Sequence, residues 1–301
     1  MFIPLIVNKF EYRGKVAVNK MRKVLIPTDF SNNSLNAIRY ALELFKYERS
    51  DFFIIHAYAD GVYETESFSD REAFTKVKET VKLKAENELK KIIKKIEEWS
   101  PNPKHNYNTL ALFGTLIDEA NELVDSENID VLVMGTKGET NDRNITFGSN
   151  TLQVMKYVKC PVLAVPVGCK PYPPDHLLFP TDFLLPFKKR ELKLVSTVAR
   201  NFAADINFLH VMKFDTLSFR QEDNKAFLES CMEDNQFQFN KIKGSSLTSA
   251  IDAFIEEHQI DLLVMVNSRH SFLEDYLYQS TIDKIGLHIK IPFLVLQNLS
   301  R

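Results

Sequence analysis

The sequence predicts an α/β protein made of two tandem, doubly wound parallel sheets of five strands each. Its 301 residues correspond to roughly two domains, and 45% apolar with 26% charged residues is ordinary globular composition. Short apolar runs alternate with longer amphipathic patterns, an order that predicts parallel strands joined by crossover helices. The order occurs twice along the chain, which predicts two copies of one fold.

The repeat is visible in two pairs of matching segments. Residues 25–30 read LIPTDF and residues 178–183 read LFPTDF, at an offset of 153 positions. Residues 128–135 (NIDVLVMG) match residues 259–266 (QIDLLVMV) at an offset of 131 positions. The second copy is therefore 22 residues shorter between its first and fourth strands.

The domain boundaries follow from this repeat and from one Pro-rich stretch. Residues 168–175 (GCKPYPPD) are predicted to be a linker. It separates a first unit, residues 21–167, from a second unit, residues 176–301. Residues 1–20 form an N-terminal extension, which is either an upstream start-site artefact or an edge strand because Met21 directly precedes the first strand.

Five apolar runs predict the strands of the first unit. Each run spans four to six residues and is mostly continuous in apolar character, as expected of strands that are covered on both faces. The predicted strands are Val24–Pro27, Phe52–Ala57, Thr109–Phe113, Val131–Met134 and Val162–Val165.

Two helical patterns connect the early strands. Leu35 and Ile38 begin an apolar series at helical spacing after Ser31, which is a suitable N-cap. A longer amphipathic pattern covers residues 74–96, with lysines and glutamates interleaved at its polar positions. This mixture predicts a solvated helix face rather than a nucleic-acid-binding surface.

The composition also limits the partners and the compartment. Lys plus Arg total 38 against 40 for Asp plus Glu, and the net charge of −2 gives no general attraction for nucleic acid. No apolar run approaches the ~18 residues of a membrane helix, and the N-terminal MFIPLIV lacks the flanks of a signal peptide. The three cysteines form no CxxC pair. We therefore predict reduced cysteines and a cytoplasmic protein without a membrane partner.

A glycine pattern after the fourth strand points to a binding site. Three of the nine glycines fall in it, because Gly138 follows Gly135 after two residues and Gly148-Ser149 follows after nine more. Glycine lets backbone approach a ligand closely, and a helix that begins at Gly148-Ser149 offers free N–H groups to an anion. The pattern predicts a phosphate cradle, with an intervening loop that folds over the ligand.

Together with PTDFS after the first strand, this pattern resembles the nucleotide-binding branch of the universal stress protein (UspA-like) family. The resemblance extends over both units, so the chain resembles a tandem two-domain member. It implies an adenine nucleotide alpha hydrolase-like, Rossmann-like fold. It also implies that the first domain binds ATP, with or without Mg²⁺, and that the protein is a stress-response or regulatory module without fast turnover.

The resemblance places the ATP site at the carboxyl ends of the first and fourth strands. It implies that Asp29 lies near the ribose or the base, and that the backbone of Ala57 meets adenine. The residues that it implies for nucleotide binding are Pro27, Thr28, Asp29, Ala57, Met134, Gly135, Gly138, Gly148 and Ser149. The sequence itself contains no GxSxG motif, no cysteine with recognisable histidine support and no metal-ligand spacing, so we predict no catalytic residue and no metal ligand.

The second unit departs from the glycine pattern. A valine side chain in place of Gly135 would occupy space that a phosphate needs, so we predict that the second unit does not bind nucleotide in the family manner. At the offset of 131, the equivalents of Gly135, Gly138, Gly148 and Ser149 are Val266, Arg269, Gln279 and Ser280.

Other polar residues receive simpler interpretations. His56 and His210 end equivalent strands without further ligands at metal spacing, which favours histidines bonded to backbone over a metal site. Asp29 lacks the adjoining carboxylates that a phosphoacceptor needs for Mg²⁺. Lys137 and Arg143 either pair with phosphate or face solvent.

Three functions stay open on the sequence. The predicted one is an ATP-binding stress or regulatory module with an unknown signalling partner, because no nucleophile or general base adjoins the glycine pattern. A slow ATPase or phosphotransferase would use the second unit for substrate contacts. A nucleotide-free scaffold would use both units for association alone.

The fifth strands predict how the two units associate. Val162–Val165 and Phe293–Leu296 are strongly apolar, and each follows a proline. In the strand order that the family implies, each lies at a sheet edge, where unpaired backbone groups attract another strand. We predict an internal pseudo-dimer with the two fifth strands adjacent, and a further homodimer stays open.

Overall fold

A computed structural model describes residues 21–65, 71–137, 147–212, 216–243, 246–267 and 290–298. These residues form ten strands and eight helices. The strands are β1 (Arg22–Pro27), β2 (Ser50–Ala57), β3 (His105–Leu112), β4 (Val131–Gly135), β5 (Val162–Val165), β6 (His176–Pro180), β7 (Asp205–Met212), β8 (Phe237–Lys243), β9 (Leu262–Asn267) and β10 (Phe293–Gln297). The helices are α1 (Asn32–Leu44), α2 (Ala59–Tyr63), α3 (Arg71–Trp99), α4 (Leu116–Glu127), α5 (Ser149–Tyr157), α6 (Lys189–Phe202), α7 (Phe219–Cys231) and α8 (Leu247–Glu257).

The two predicted five-stranded parallel sheets are present, and they join into one ten-stranded sheet. The strand order is β3-β2-β1-β4-β5-β10-β9-β6-β7-β8. All neighbours are parallel except β5 and β10, which pair antiparallel with Leu163 opposite Leu294. The predicted pairing of the two fifth strands is therefore confirmed. The antiparallel junction places the carboxyl ends of the first unit's strands beside the amino ends of the second unit's strands.

Two apolar layers cover the two faces of the sheet. Successive strand residues point to opposite faces, so Val24 and Ile26 belong to the apolar layer that includes residues of α1, α3, α6 and α7. Leu25 belongs to the opposite layer, which includes residues of α4, α5 and α8. Both layers continue across the β5–β10 junction, where Leu163 and Leu294 lie in the same apolar cluster. The two units thus share their core.

The helices of the first unit largely follow the sequence prediction. Ser31 is the N-cap of α1, and its hydroxyl accepts the N–H of Ser34. The helix α3 has 29 residues and buries Leu89, Ile92 and Ile96 among others. Exposed lysines of α3 pair with glutamates, as expected of a solvated face. The helix α7 has only 13 residues, which accounts for much of the shorter second unit.

The third strand differs from the prediction. It was expected at Thr109–Phe113, but β3 begins at His105 and ends at Leu112. The residues from His105 to Asn108 are mostly polar, and they pair with β2 at the edge of the sheet. An edge strand exposes part of its surface to water, so it needs no continuous apolar run.

Cys160, Cys169 and Cys231 are all free thiols. Burial raises the pKa of the Cys160 thiol to about 12, so it stays protonated at neutral pH. Among the described helices, none combines the length and apolar character needed to cross a membrane.

Candidate functional site

The predicted site lies where the carboxyl ends of β1 and β4 meet. β1 pairs with β2 on one side and with β4 on the other. The chain therefore changes its direction of winding between β1 and β4, and open α/β sheets bind ligands at such a switch point. The turn after β1, the end of β4 and the start of α5 all lie at this edge.

The turn after β1 is held by its own side chains. The Phe30 N–H donates to Thr28 Oγ1 at 3.0 Å, and the Ser31 N–H donates to Asp29 Oδ1 at 3.1 Å. Thr28 is buried, and its N–H donates to the carbonyl oxygen of Ile55. Phe30 has a φ of 65°, which is uncommon for a bulky side chain. The turn thereby fixes the orientation of Asp29 at the sheet edge.

The two strand-end histidines bond to backbone. The His56 Nδ1–H donates to the Thr28 carbonyl oxygen at 2.7 Å, and the His210 Nδ1–H donates to the Thr181 carbonyl oxygen at 2.9 Å. These contacts confirm the interpretation of both residues as structural histidines. Within the described part of the chain, no group of three or more His, Cys, Asp or Glu is arranged to hold a metal ion.

The start of α5 is tied to the end of β4. Gly148 is the N-cap of α5, and no side-chain hydrogen bond caps this end of the helix. The Gly148 N–H donates to the Thr136 carbonyl oxygen at 2.8 Å. The Thr151 hydroxyl lies 3.1 Å from the carbonyl oxygens of both Gly135 and Thr136. Ser149 is exposed as the first helical residue. The first-turn N–H groups of this helix have no intrahelical partners, and they give the edge a partial positive charge.

Asn33 is a site residue that the sequence prediction missed. Its Nδ2 donates to the Lys137 carbonyl oxygen at 2.6 Å, so α1 holds the chain just after β4. A Cβ on Gly135 would lie 2.9 Å from Asn33 Cγ and 3.3 Å from the main-chain carbonyl oxygen of Asn33. Asn33 Oδ1 is buried, and it has no hydrogen-bond partner among the residues that the structure describes. Glycine at 135 therefore allows the close approach of Asn33, a contact that the sequence prediction did not include when it assigned this glycine to the ligand.

The other predicted residues have different placements. Pro27 is buried at the end of β1, and Ala57 is half-buried at the end of the neighbouring β2. The Met134 side chain is buried in the core below the sheet edge, so its backbone rather than its thioether lies nearest the site. Gly138 and Arg143 lie outside the described residues.

At the equivalent place in the second unit, the described residues leave only a small cavity. α6 begins eight residues after Thr181, whereas α1 begins four residues after Thr28. The longer connection brings Leu185 and Phe187 to the end of β9, where they line a cavity of only about 20 Å³ together with Val266. The Phe187 ring packs against Phe179 at 5.8 Å. Arg269, Gln279 and Ser280, which the sequence comparison set against the glycine pattern, lie outside the described residues.

Comparison with known proteins agrees with this two-unit architecture. The model of the universal stress protein family matches residues 20–166 and again residues 175–297. The chain belongs to the universal stress protein family. A universal stress protein of Methanocaldococcus jannaschii is 31% identical over 147 residues, which cover 49% of this chain and 83% of that relative. The matched relative thus corresponds to about half of this chain.

Solved universal stress proteins share the fold. A crystal structure of one from Archaeoglobus fulgidus DSM 4304 aligns with 92% of this chain and 98% of its own, at 20% identity and a TM-score of 0.67. Another was solved in complex with cAMP and aligns with 42% of this chain and all of its own. Its identity of 14% and TM-score of 0.33 are too low to bear on the ligand of this chain.

Proposed function

We propose that the first unit binds ATP and that the protein is a regulatory module of the stress response rather than a fast enzyme. The contrast between the two units carries this proposal. Both keep the turn after their first strand, but only the first has glycine at the end of its fourth strand. In the first unit a helix with an uncapped start lies beside that glycine. In the second unit, Phe187 and Val266 line the end of β9, where the cavity is only about 20 Å³.

The proposed contacts follow the order of the groups in the nucleotide. The backbone of Ala57 meets adenine, and Asp29 accepts a hydrogen bond from the ribose or the base. Met134 and Gly135 flank the ribose and the first phosphate with their backbone, beside Pro27 and Thr28. The phosphates, with or without Mg²⁺, bind to Gly138, Gly148 and Ser149, where helix N–H groups and the helix dipole stabilise negative charge.

Asn33 tests whether these residues fit a nucleotide. A buried carbonyl oxygen without a donor costs about 1–3 kcal/mol. Asn33 Oδ1 is such an atom, and it lies beside the Gly135–Lys137 backbone that the proposal places at the ribose and the first phosphate. A ribose hydroxyl is a donor of the right kind, whereas the phosphates offer none. We therefore add Asn33 to the proposed site as an acceptor for the sugar.

Calorimetric titration with Mg-ATP tests the proposal. We expect a stoichiometry near one per chain because the second unit has Val266 in place of Gly135 and only a small cavity beside it. A stoichiometry near two would contradict the asymmetry between the units. A protein that binds no ATP, and that releases no nucleotide when freshly purified material is denatured and analysed by mass spectrometry, would contradict the proposed function.

Turnover distinguishes the binding module from the enzyme. The Thr151 hydroxyl near the helix start already hydrogen-bonds to the Gly135 and Thr136 carbonyl oxygens, so it is not poised as a nucleophile. We expect ATP hydrolysis far below the roughly 1–10³ s⁻¹ of dedicated enzymes. Turnover in that range with a small-molecule acceptor would instead support the slow ATPase or phosphotransferase class.

The remaining parts of the proposal concern the cell. We place the protein in the cytoplasm, with an unidentified signalling partner and with no nucleic-acid or membrane partner. The domain boundaries at residues 167 and 176 belong to the same proposal. The internal pairing of β5 with β10 already covers the edge through which a single unit would associate. A homodimer of the whole chain would therefore need another surface.

A further inference from the structure

The helix α5 is held at its C-terminal end by side chains of the second unit. Gln297 Nε2 donates to the Met155 carbonyl oxygen at 2.8 Å, and Asn267 Nδ2 donates to the same oxygen at 3.1 Å. Asn267 Nδ2 also donates to Gln297 Oε1 at 2.8 Å and lies 3.4 Å from the Lys156 carbonyl oxygen. These two amides end β9 and β10, and they cap a helix that belongs to the first unit.

The burial of these amides makes their hydrogen bonds important for the position of the helix. Asn267 is 7% exposed and Gln297 is 1% exposed. The last carbonyl groups of a helix have no intrahelical partner, and an unpaired polar group in such a place costs about 1–3 kcal/mol. A shift of α5 away from the second unit would leave both the helix carbonyls and the amides unpaired.

The second unit also contacts the chain just before the N-terminal end of α5. Phe147 directly precedes the N-cap Gly148 and is 4% exposed. Its ring packs against Phe293, the first residue of β10, at 5.9 Å. β10 therefore contacts one end of α5 through Phe293 and the other end through Gln297.

The first unit supplies a separate cap on the exposed side of the same helix. Asn121 Nδ2 of α4 donates to the Tyr157 carbonyl oxygen at 3.2 Å. This contact is on the surface, where water can replace the amide. The buried side-chain hydrogen bonds at the C-terminal end of α5 thus come from the second unit, whereas the Thr151 hydroxyl ties the first turn of α5 to the end of β4 within the first unit.

We propose that Asn267 and Gln297 are positioning residues for the phosphate-binding end of α5, so that the second unit tunes nucleotide affinity without binding nucleotide itself. This inference rests on the proposed function of the first unit. A helix of nine residues is about 13 Å long and moves as a rigid piece. A displacement at Met155 therefore moves the N–H groups at Ser149 by a similar distance, and binding geometry tolerates only about 0.5 Å.

Coupling of this kind acts in both directions. If the second unit raises the affinity of the first for ATP, then bound ATP must strengthen the contacts that the second unit makes with α5. Hydrogen exchange in the wild-type protein reports this effect without any substitution. We expect ATP to slow exchange in β10, residues 293–297, although the proposed site has no residue there.

Gln297→Met is the direct test, because methionine has a similar length and no hydrogen-bonding amide. We expect a 3- to 10-fold higher Kd for ATP and faster hydrogen exchange in residues 147–158. Asn235→Ala is the matched control, since it removes a half-buried amide of the second unit that bonds to Ser196 and is not in contact with α5. We expect this control to lower Tm while Kd and the exchange of α5 stay as in the wild type.

The outcomes separate this inference from the proposed function. If the wild-type protein binds no ATP, the proposed function fails. If Gln297→Met leaves the exchange of α5 unchanged, or changes it without changing Kd, the amides are only structural and the inference fails. If the variant does not fold, the exchange of wild-type β10 decides, and unchanged exchange on adding ATP overturns the inference.

Discussion

The two units of this chain keep the same turn and differ in what lies above it. In both, a threonine hydroxyl accepts the N–H of a phenylalanine with positive φ, and a histidine donates to the threonine carbonyl. Because the second unit has this turn although Val266 replaces glycine beside it, the turn belongs to the fold. Within the described residues, Gly135 is the feature that distinguishes the first unit and that indicates a ligand.

Two features differ together between the units: the place where the first helix begins and the residue type near the end of the fourth strand. In the first unit α1 begins close to the turn, and Asn33 lies so near to Gly135 that a Cβ added there would clash with the Asn33 side chain unless that side chain moved. In the second unit the longer connection places the start of α6 farther along the chain from the turn. Val266 and Phe187 line the small cavity at the end of β9. A single substitution therefore does not convert one unit into the other, because the helix start and the strand end fit each other.

The largest expected effect comes from Gly148→Asp. The N-cap Gly148 has φ −66° and ψ 159°, a conformation in which aspartate caps helices well. The carboxylate would accept the first-turn N–H groups and repel phosphate. We expect the free energy of unfolding to stay the same or rise by a few tenths of a kcal/mol. Calorimetry should show ATP affinity falling at least about 100-fold, or about 2.7 kcal/mol.

Ser246→Asp is the matched control for this change. Ser246 is the N-cap of α8 in the second unit, with φ −60° and ψ 145°. The control places the same carboxylate at another helix start, and we expect both stability and ATP affinity to stay near wild type. Normal binding by Gly148→Asp would show that the phosphates do not bind at α5.

The next largest effect concerns the fit between Gly135 and Asn33. We expect Gly135→Ala to lower the free energy of unfolding by about 1–3 kcal/mol, since the new methyl group overpacks against Asn33. In the Asn33→Ala background, Gly135→Ala should lower the free energy of unfolding by about 1 kcal/mol less, because the asparagine side chain that the new methyl group meets has been removed. Denaturant unfolding of the two single variants and the double variant measures the difference.

An additive result would contradict this account. Changes in the free energy of unfolding at independent sites add to within about 0.3–0.5 kcal/mol. If the cost of Gly135→Ala differs by less than this between the wild-type and Asn33→Ala backgrounds, the two residues do not compete for space. Gly168→Ala offers a contrast, since a Cβ there meets nothing within 4 Å but the residue has a φ of 73°. Its cost should come from backbone strain and should not depend on Asn33.

Local patterns predicted much of the fold, while contacts between distant segments escaped prediction. The repeat and the apolar strands, together with the strand order that the family resemblance implied, led to the correct sheet topology. β3 was predicted too short, because the polar residues after His105 owe their extended conformation to pairing with β2. Asn33 and Gln297 bond to residues 104 and 142 positions away, and a single sequence carries no signal for such pairs.

The smallest expected effect is a pH dependence that the second unit should lack. His105 lies two residues before Tyr107 in β3, and Asn235 lies two residues before Phe237 in β8. His105 Nε2 is 3.2 Å from the Phe45 carbonyl oxygen, and its ring packs edge-on against Phe52 at 4.8 Å. Burial, with a smaller effect of the Lys104 charge, lowers the pKa of His105, although the bond to Phe45 opposes the shift.

The sign of the effect follows from linkage. A histidine whose pKa is lower in the folded than in the unfolded state binds its proton more readily when unfolded, so stability falls as pH drops below about 6.5. His105→Asn removes this titration and gives the first unit the residue type of the second. We expect the difference in Tm between wild type and this variant to narrow by about 1–2 °C between pH 7.5 and pH 5.5. The difference in Tm between wild type and Asn235→Ala should be the same at both pH values, because an amide does not titrate. If the difference in Tm for His105→Asn is also the same at both pH values, burial of His105 does not contribute to acid sensitivity.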